Sequence, residues 1–224
     1  MRAPISVIIP TLNAQQHLGH CLESLMPGLE AGLIRELIVS DGGSTDATVD
    51  LAKAWGAEVI EGAPSRGGQL RKACALAKGR WLLVLHADTA LHRDWVGAAI
   101  EHMETGRAGW FRLAFERGGR AGRCVAAWAN LRSRFGLPYG DQGLLIPTIV
   151  YQQVGGYPDQ PLMEDVSLAR ALRGRLSMID AVATTSAARY KKQGWLRRGG
   201  RNLWTLARYF SGASPEDLVQ SYRS

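Results

Sequence analysis

His86 and Asp88 stand two residues apart, directly behind the apolar run Trp81-Leu82-Leu83-Val84-Leu85. In an extended chain residues i and i+2 point the same way, so an imidazole and a carboxylate can converge on one ion. That donor pair suits a divalent cation, Mn²⁺ or Mg²⁺, with waters and ligand phosphates completing its shell. The plainer arrangement is that Asp88 caps a following helix and His86 merely ends a strand. Other residues carry chemistry at similar places. Thr11 and Asn13 follow the run Ser6-Val7-Ile8-Ile9-Pro10, and Asp41 opens the turn Asp41-Gly42-Gly43-Ser44-Thr45-Asp46. The two glycines there let the backbone close round a ligand. Arg66 precedes Gly67-Gly68 at a helix start, where backbone N–H groups attract phosphate. The adjacent acids Glu164-Asp165 open another helix. Either both complement its N-terminus, at roughly 0.3–1 kcal/mol each, or one is a general base.

These residues need strands to hold them. Five apolar residues are too few for a comfortable helix and right for a strand buried on both faces. Ser6–Pro10, Leu37–Ser40, Glu58–Glu61 and Trp81–Leu85 read as such strands. Helices alternate with them. One carries Leu18, Cys21, Leu22 and Leu25 and breaks at Pro27-Gly28. One is capped by Ser44 or Thr45 and buries Val49, Ala52 and Trp55. One runs from Arg66 to about Lys78. Alternation of this kind implies an α/β fold, a doubly wound and mostly parallel sheet flanked by helices. Its ligands bind at the carboxyl edge of the strands, where Thr11, Asn13, Asp41, His86 and Asp88 all fall. The second half is less regular. Strands are expected at 110–115, 143–146 and 176–179, and helices at 121–135 and from Glu164 to Gly174.

A chain of 224 residues with 46% hydrophobic and 21% charged residues has an ordinary globular composition. The N-terminus shows no secretory segment, and no apolar run reaches membrane-spanning length. Cys21, Cys74 and Cys124 match no metal spacing and are expected as buried thiols of a reducing compartment, which places the chain in the cytoplasm. The net charge of +7 is concentrated. Residues 106–134 carry 7 basic and 1 acidic side chains and residues 189–224 carry 8 and 2, against 9 and 12 in residues 1–105. Such blocks point to a polyanionic partner or to a solvated basic face.

In order and spacing, Ser6–Asn13, Asp41–Asp46, His86-Ala87-Asp88 and Glu164-Asp165 resemble a family 2 glycosyltransferase of the GT-A fold. The resemblance covers about residues 4–190. It is closer still to a bacterial subgroup associated with arsenosugar biosynthesis or radical-SAM gene clusters. Leu85–Thr89, Tyr139-Gly140-Asp141-Gln142-Gly143, Gly155–Pro158, Leu162–Val166 and Thr185–Tyr190 carry that likeness. The resemblance implies one domain over 1–190, with a nucleotide-binding half (1–105) and an acceptor half (106–190), and a helical extension over 191–224. It implies metal-dependent transfer of a sugar, with inversion, from a nucleotide-sugar donor, UDP-linked, to an acceptor hydroxyl. Pro10, Thr11, Asn13, Asp41, Arg66, His86, Ala87, Asp88 and Arg189 would hold the donor, with Asp41 accepting from uracil N3 and Arg189 meeting the diphosphate. Asp88 would ligate the metal. His86 replaces the family's first aspartate and would either join it or touch the ribose. Asp165 would be the base, Glu164 would orient base or acceptor, and Asp141 and Gln142 would bind the acceptor.

Rival readings are a nucleotidyltransferase and a non-catalytic nucleotide- or membrane-binding protein. The first usually carries a glycine-rich loop after its first strand, where this chain has Thr11-Leu12-Asn13-Ala14. No nucleic-acid-binding module is recognisable. Oligomeric state leaves no trace in the sequence. At the C-terminus Trp195, Leu196, Leu203, Leu206, Ala207 and Phe210 recur at near-helical spacing, with Arg197, Arg201 and Arg208 on another face. Such an amphipathic helix either lies on an anionic membrane, at the inner face of the cell membrane, or packs on the domain or a second copy of the chain.

Overall fold

The computed structural model describes residues 2–223. Its first half alternates strand and helix. β1 (Ile5–Thr11) leads to α1 (Gln15–Glu23) and α2 (Met26–Glu30), β2 (Ile34–Asp41) to α3 (Thr48–Ala54), and β3 (Glu58–Glu61) to α4 (Arg66–Leu76). β4 (Trp81–Val84) is followed by a short strand, β5 (Thr89–Leu91), and then α5 (Trp95–Glu104). The second half runs β6 (Ala108–Phe115), α6 (Gly119–Arg134), a 3-10 turn at Gly140–Gln142, β7 (Leu144–Pro147), α7 (Thr148–Gln153) and α8 (Glu164–Ala171). It continues with β8 (Leu176–Thr185), α9 (Ala188–Gln193), α10 (Trp195–Phe210) and α11 (Pro215–Arg223).

The strands form one sheet in the order β3-β2-β1-β4-β7-β6-β8-β5. The β3-β2-β1-β4 portion is wholly parallel. Beyond it the sheet is mixed. β7 is antiparallel to β4 and β6, β6 and β8 are parallel, and β5 is antiparallel to β8. The mostly parallel sheet expected is found, with its antiparallel pairings confined to β7 and β5.

Both faces are covered because the strands are apolar on both. Ile5, Val7 and Ile9 of β1 join Leu83 and Leu85 in a core beneath α1 and α5. Ile8 joins Leu82 and Val84 in a second core with Leu70 of α4 and Leu168 of α8. The period-2 alternation of a strand makes this split.

Several local expectations are corrected. Pro27 does not end a helix; it stands in the first turn of α2, where its missing N–H leaves no bond unmade. α3 buries Ala52 as expected, but Trp55 is 36% exposed and the other buried residue is Thr48. Neither Ser44 nor Thr45 caps α3. Asp46 accepts from the Thr48 N–H and hydroxyl, while the Ser44 hydroxyl turns back to Asp41. Cys124 is exposed, unlike the buried Cys21 and Cys74. β8 runs six residues past Ile179, with an irregularity between the pairs Phe111–Ile179 and Arg112–Val182. α10 turns Leu206 inward but leaves Leu196, Leu203 and Phe210 exposed, so most of its apolar side does not pack on the chain itself. Among the described residues no helix is long and apolar enough to cross a membrane.

Candidate active site

A cleft of about 370 Å³ opens at the carboxyl edge of β1 and β4 and takes its far wall from the second half of the chain. Of the residues singled out in the sequence, Pro10, Thr11, Asn13, Arg66, His86, Ala87, Asp88, Asp141, Asp165 and Arg189 line it. Asp41, Gln142 and Glu164 do not.

Asp41 ends β2 behind Thr11 and is 1% exposed. Its Oδ1 accepts from the hydroxyls of Thr11 (2.7 Å) and Ser44 (2.6 Å), and its Oδ2 from the backbone N–H groups of Gly43 (2.9 Å) and Ser44 (2.6 Å). Burial raises its pKa, but these donors outweigh burial and hold it below the usual range. Four acceptances saturate a carboxylate, so Asp41 fastens two loops together and leaves nothing for a base. Asn13 adds to the same seam from a left-handed backbone position. Its Oδ1 accepts from Thr45 N–H (2.9 Å) and its N–H donates to Ser44 Oγ (2.8 Å). Gln69, which sequence reasoning passed over, donates to the carbonyls of Thr11 (2.9 Å) and Ser40 (2.6 Å) and also reaches the cleft.

His86 and Asp88 follow β4 as expected. Asp88 heads no helix; β5 begins at the next residue and pairs with β8. That pairing, with the Ser186 N–H donating to the Asp88 carbonyl (3.1 Å), carries the end of β8 to Asp88 and so delivers Arg189 of α9 to the cleft. Burial pushes the His86 pKa down to about 4. Arg66 adds to the shift, while Asp88 and Asp165 oppose it. The ring is therefore neutral near pH 7, the form that binds metal. Its Nε2 end lies against Gly140, where a Cβ would fall 2.3 Å from that nitrogen. A side chain at position 140 would have to displace the His86 ring. Among the described residues no group of three His, Cys, Asp or Glu side chains could hold a metal unaided. One carboxylate with one neutral imidazole fits a cation that takes its remaining oxygens from a diphosphate and water.

The acid pair divides. Glu164 is fully buried at the start of α8, with its Oε1 3.5 Å from Arg66 Nη1. Burial raises its pKa to about 7, Arg66 opposing and Asp165 adding. It sits behind Arg66, outside the cleft lining. Asp165 faces the cleft. Its Oδ2 accepts from Gly140 N–H (2.8 Å), and its Oδ1 from Val166 N–H (2.7 Å). Met163, in the left-handed region at φ 65°, sets the turn just before the pair. Asp141 also reaches the cleft. Its Oδ1 is buried with no partner among the described residues, and burial raises its pKa to about 6, with Arg132 opposing and Asp165 and Asp88 adding. Gln142 is fully buried; its amide accepts from the Ser133 hydroxyl (2.6 Å) and donates to the Phe111 carbonyl (3.3 Å). It pins the turn that carries Asp141 and lies outside the cleft lining.

The start of α4 is likewise occupied. Gly67 N–H donates to the Gln160 carbonyl (3.1 Å) and Gly68 N–H to Ser65 Oγ (3.3 Å), so these groups do not await a phosphate. A Cβ on Gly67 would lie 2.2 Å from the Pro158 carbonyl oxygen, which explains the glycine. Arg198 and Asn202 of α10 line the cleft as well, with Asn202 Nδ2 donating to the Tyr190 hydroxyl (3.0 Å). Their four-residue spacing, on the same side as buried Leu206, was the available signal.

Known proteins share this architecture. A glucosyl-3-phosphoglycerate synthase from Mycobacterium tuberculosis, solved with Mn²⁺, uridine diphosphate and phosphoglyceric acid, superposes with a TM-score of 0.58 at 25% identity, over 82% of this chain and 68% of that one. Staphylococcus aureus TarS 1–349 with UDP-GlcNAc gives 0.63 at 15% identity, over 82% and 58%. By sequence, a PGL/p-HBAD biosynthesis glycosyltransferase of Mycobacterium tuberculosis is 37% identical over 100 residues, 41% of this chain and 38% of the relative. A glucosyl-3-phosphoglycerate synthase of Mycolicibacterium smegmatis is 37% identical over 93 residues, 38% and 30%. The chain thus spans well under half the length of the curated relatives it matches. The fold is the GT-A-like α/β fold of solved glycosyltransferases. The family described as glycosyl transferase family 2 matches residues 6–141, from β1 through the cleft residue Asp141, and the chain belongs to that family of glycosyltransferases.

Proposed function

We propose that this glycosyltransferase uses a divalent metal and a UDP-linked sugar donor, and transfers the sugar with inversion to an acceptor hydroxyl. One observation carries the reading: a single cleft gathers Asp88, Asp141 and Asp165 with Arg66 and Arg189 at the carboxyl edge of the parallel strands. The uridine preference draws support from related structures that hold uridine diphosphate with Mn²⁺ or Mg²⁺, no longer from Asp41. Asp88, with His86, would hold the metal, which would supply positive charge to the diphosphate. Arg66 and Arg189 bind the same oxygens, and charge that grows there as the glycosidic bond breaks makes such cations most effective in the transition state.

Asp165 takes the proton of the acceptor hydroxyl. The acceptor oxygen forms its bond to the anomeric carbon as the bond to the diphosphate oxygen breaks, and the leaving group departs with that electron pair. A carboxylate has about four acceptor positions, so the two N–H groups on Asp165 orient it without disabling it. The unpartnered Oδ1 of Asp141 receives an acceptor hydroxyl. The narrower placement, in the arsenosugar-associated subgroup, rests on the five phrases that suggested it. The reading also includes a peripheral seat for α10 on an anionic bilayer.

Calorimetric titration with uridine diphosphate and guanosine diphosphate, with and without Mn²⁺, tests the donor. Uridine diphosphate should bind more tightly, and only with metal at full affinity. Tighter guanosine binding, or no nucleotide binding, overturns the reading.

A further inference from the structure

α10 is not the only helix with an unpartnered apolar side. α6, packed beside it, turns Gly122, Ala126, Ala129 and Ser133 inward. On its opposite side Trp128, Leu131 and Phe135 are 53, 46 and 78% exposed. On α10, Leu196, Leu203 and Trp204 are 93, 46 and 66% exposed. Residues three, four and seven apart share a helix face, so each helix bears an outer apolar stripe back to back with its buried one. The helices are joined where the Trp195 ring lies against Gly122 and meets Phe115 edge-on, at 5.2 Å between ring centroids. Large apolar side chains gathered on a surface mark an interaction site.

The charges name the partner. α6, α9 and α10 contain four, three and four basic residues and no acidic one. Arg189 and Arg198 face the cleft and Arg132 lies over Tyr139, but Arg120, Arg123, Arg134, Lys191, Lys192 and Arg197 are exposed, against Glu216 and Asp217 on the neighbouring α11. An apolar surface with such a cationic excess suits a bilayer with anionic headgroups: Trp, Phe and Leu enter the headgroup region while Arg and Lys meet lipid phosphates, at about 1 kcal/mol per basic residue near the surface. A second copy of the chain would instead set like charges against like.

We propose that α6 and α10 together form a two-helix docking face for an anionic bilayer, to which α6 is as necessary as α10. This rests on the peripheral seat given to α10 above. The test is co-sedimentation of the full chain with vesicles of phosphatidylcholine plus phosphatidylglycerol, against phosphatidylcholine alone, at low and high salt. Two double variants accompany it: Trp128→Ser with Phe135→Ser on α6, and Leu196→Ser with Trp204→Ser on α10. All four side chains are exposed, and retained binding of uridine diphosphate reports that each variant is folded.

The wild type should sediment with the anionic vesicles at low salt and be released by high salt. Each double variant should lose roughly tenfold or more in partitioning. If the α6 variant binds like the wild type, the two-helix face is overturned while the seat of α10 stands. Failure of the wild type on anionic vesicles overturns both, and leaves sugar transfer to be judged by nucleotide binding. Sedimentation velocity that shows a dimer, converted to monomer by the α6 variant, assigns the face to a second copy and overturns the membrane.

Discussion

The two halves of the cleft are built on different terms. In the β3-β2-β1-β4 half, the polar groups satisfy one another. Asp41 has four donors, and Asn13, Ser44 and Thr45 close a seam between two loops. Among the described residues, no buried side-chain oxygen or nitrogen in residues 2–88 lacks a partner. The other half carries Asp141 Oδ1, Glu164 Oε2 and Arg132 Nη2 buried without one. An unmet buried polar group costs about 1–3 kcal/mol, and natural proteins keep it where a ligand will meet it. Of these only Asp141 lines the cleft, so its Oδ1 is the buried group that a substrate on the acceptor side can meet, whereas the Asp41 seam on the nucleotide side is closed within the chain.

If that contrast holds, the largest single loss should come from the acceptor wall. Asp165→Asn keeps the shape of the side chain but retains only one of its two acceptor oxygens, the other becoming an NH2 donor, and it cannot take a proton. Turnover should fall roughly 10²–10⁴-fold, with the affinity for uridine diphosphate unchanged. Steady-state rates beside calorimetry give both readouts. Near-normal turnover would move the base to Asp141, whose carboxyl is already raised to about 6.

Asp88→Ala attacks the shared edge. It removes the one carboxylate at the end of β4, and metal-dependent binding of uridine diphosphate should weaken roughly 10- to 100-fold, as expected when a charged contact of about 1.5–3 kcal/mol is lost. His86→Ala should weaken it less, because the imidazole is neutral and brings no charge to the ion. Full affinity of Asp88→Ala in Mn²⁺ would remove the metal from this position.

The contrast also explains what could be read from the sequence. The parallel half was legible because its strands are continuous apolar runs and its motifs sit at their ends, so one rule located Thr11, Asn13, His86 and Asp88 together. Asp41 lies at the end of β2 as expected but behind the cleft lining, because sequence shows a carboxylate but not the Thr11 and Ser44 hydroxyls that bond to it. β5 is three residues long and gives no periodicity to detect, yet its pairing with β8 is what brings Arg189 to Asp88. The sequence resemblance assigned Asp165 the base's role and Glu164 an orienting one, but it could not show how far each is buried. Burial separates them, and burial follows from the left-handed turn at Met163, which no local pattern announces.

On the nucleotide side a substitution should register in stability before it registers in chemistry. Thr11→Val removes one of the four donors to a buried carboxylate and leaves the β1–β2 pairing intact. About 1.5 kcal/mol of stability should be lost in urea denaturation. Nucleotide affinity should fall only as far as the loop loosens. A variant as stable as the wild type would mean that the seam is not fixed by Asp41.

The smallest effect is a difference of sign between the halves. Asp41 is held below the usual carboxylate range, so its contribution to stability is present at neutral pH and fades as acid protonates it. Glu164 is shifted the other way. In the unfolded chain it gives up its proton near pH 4.5, whereas the folded protein holds that proton to about 7. Between those values the folded state binds more protons, so stability falls as pH rises across the window and is level above it. Glu164→Gln keeps the shape and carries no titrating proton. Urea denaturation at several pH values from 4 to 8 should show the wild type losing stability across the window by of order 1 kcal/mol more than the variant. At neutral pH the variant also leaves Arg66 without its carboxylate, so uridine diphosphate should bind somewhat less tightly even as the pH slope flattens. Identical slopes would mean that Glu164 is ionised throughout, as a firm partner of Arg66, and that the acceptor wall is as well satisfied there as the nucleotide side.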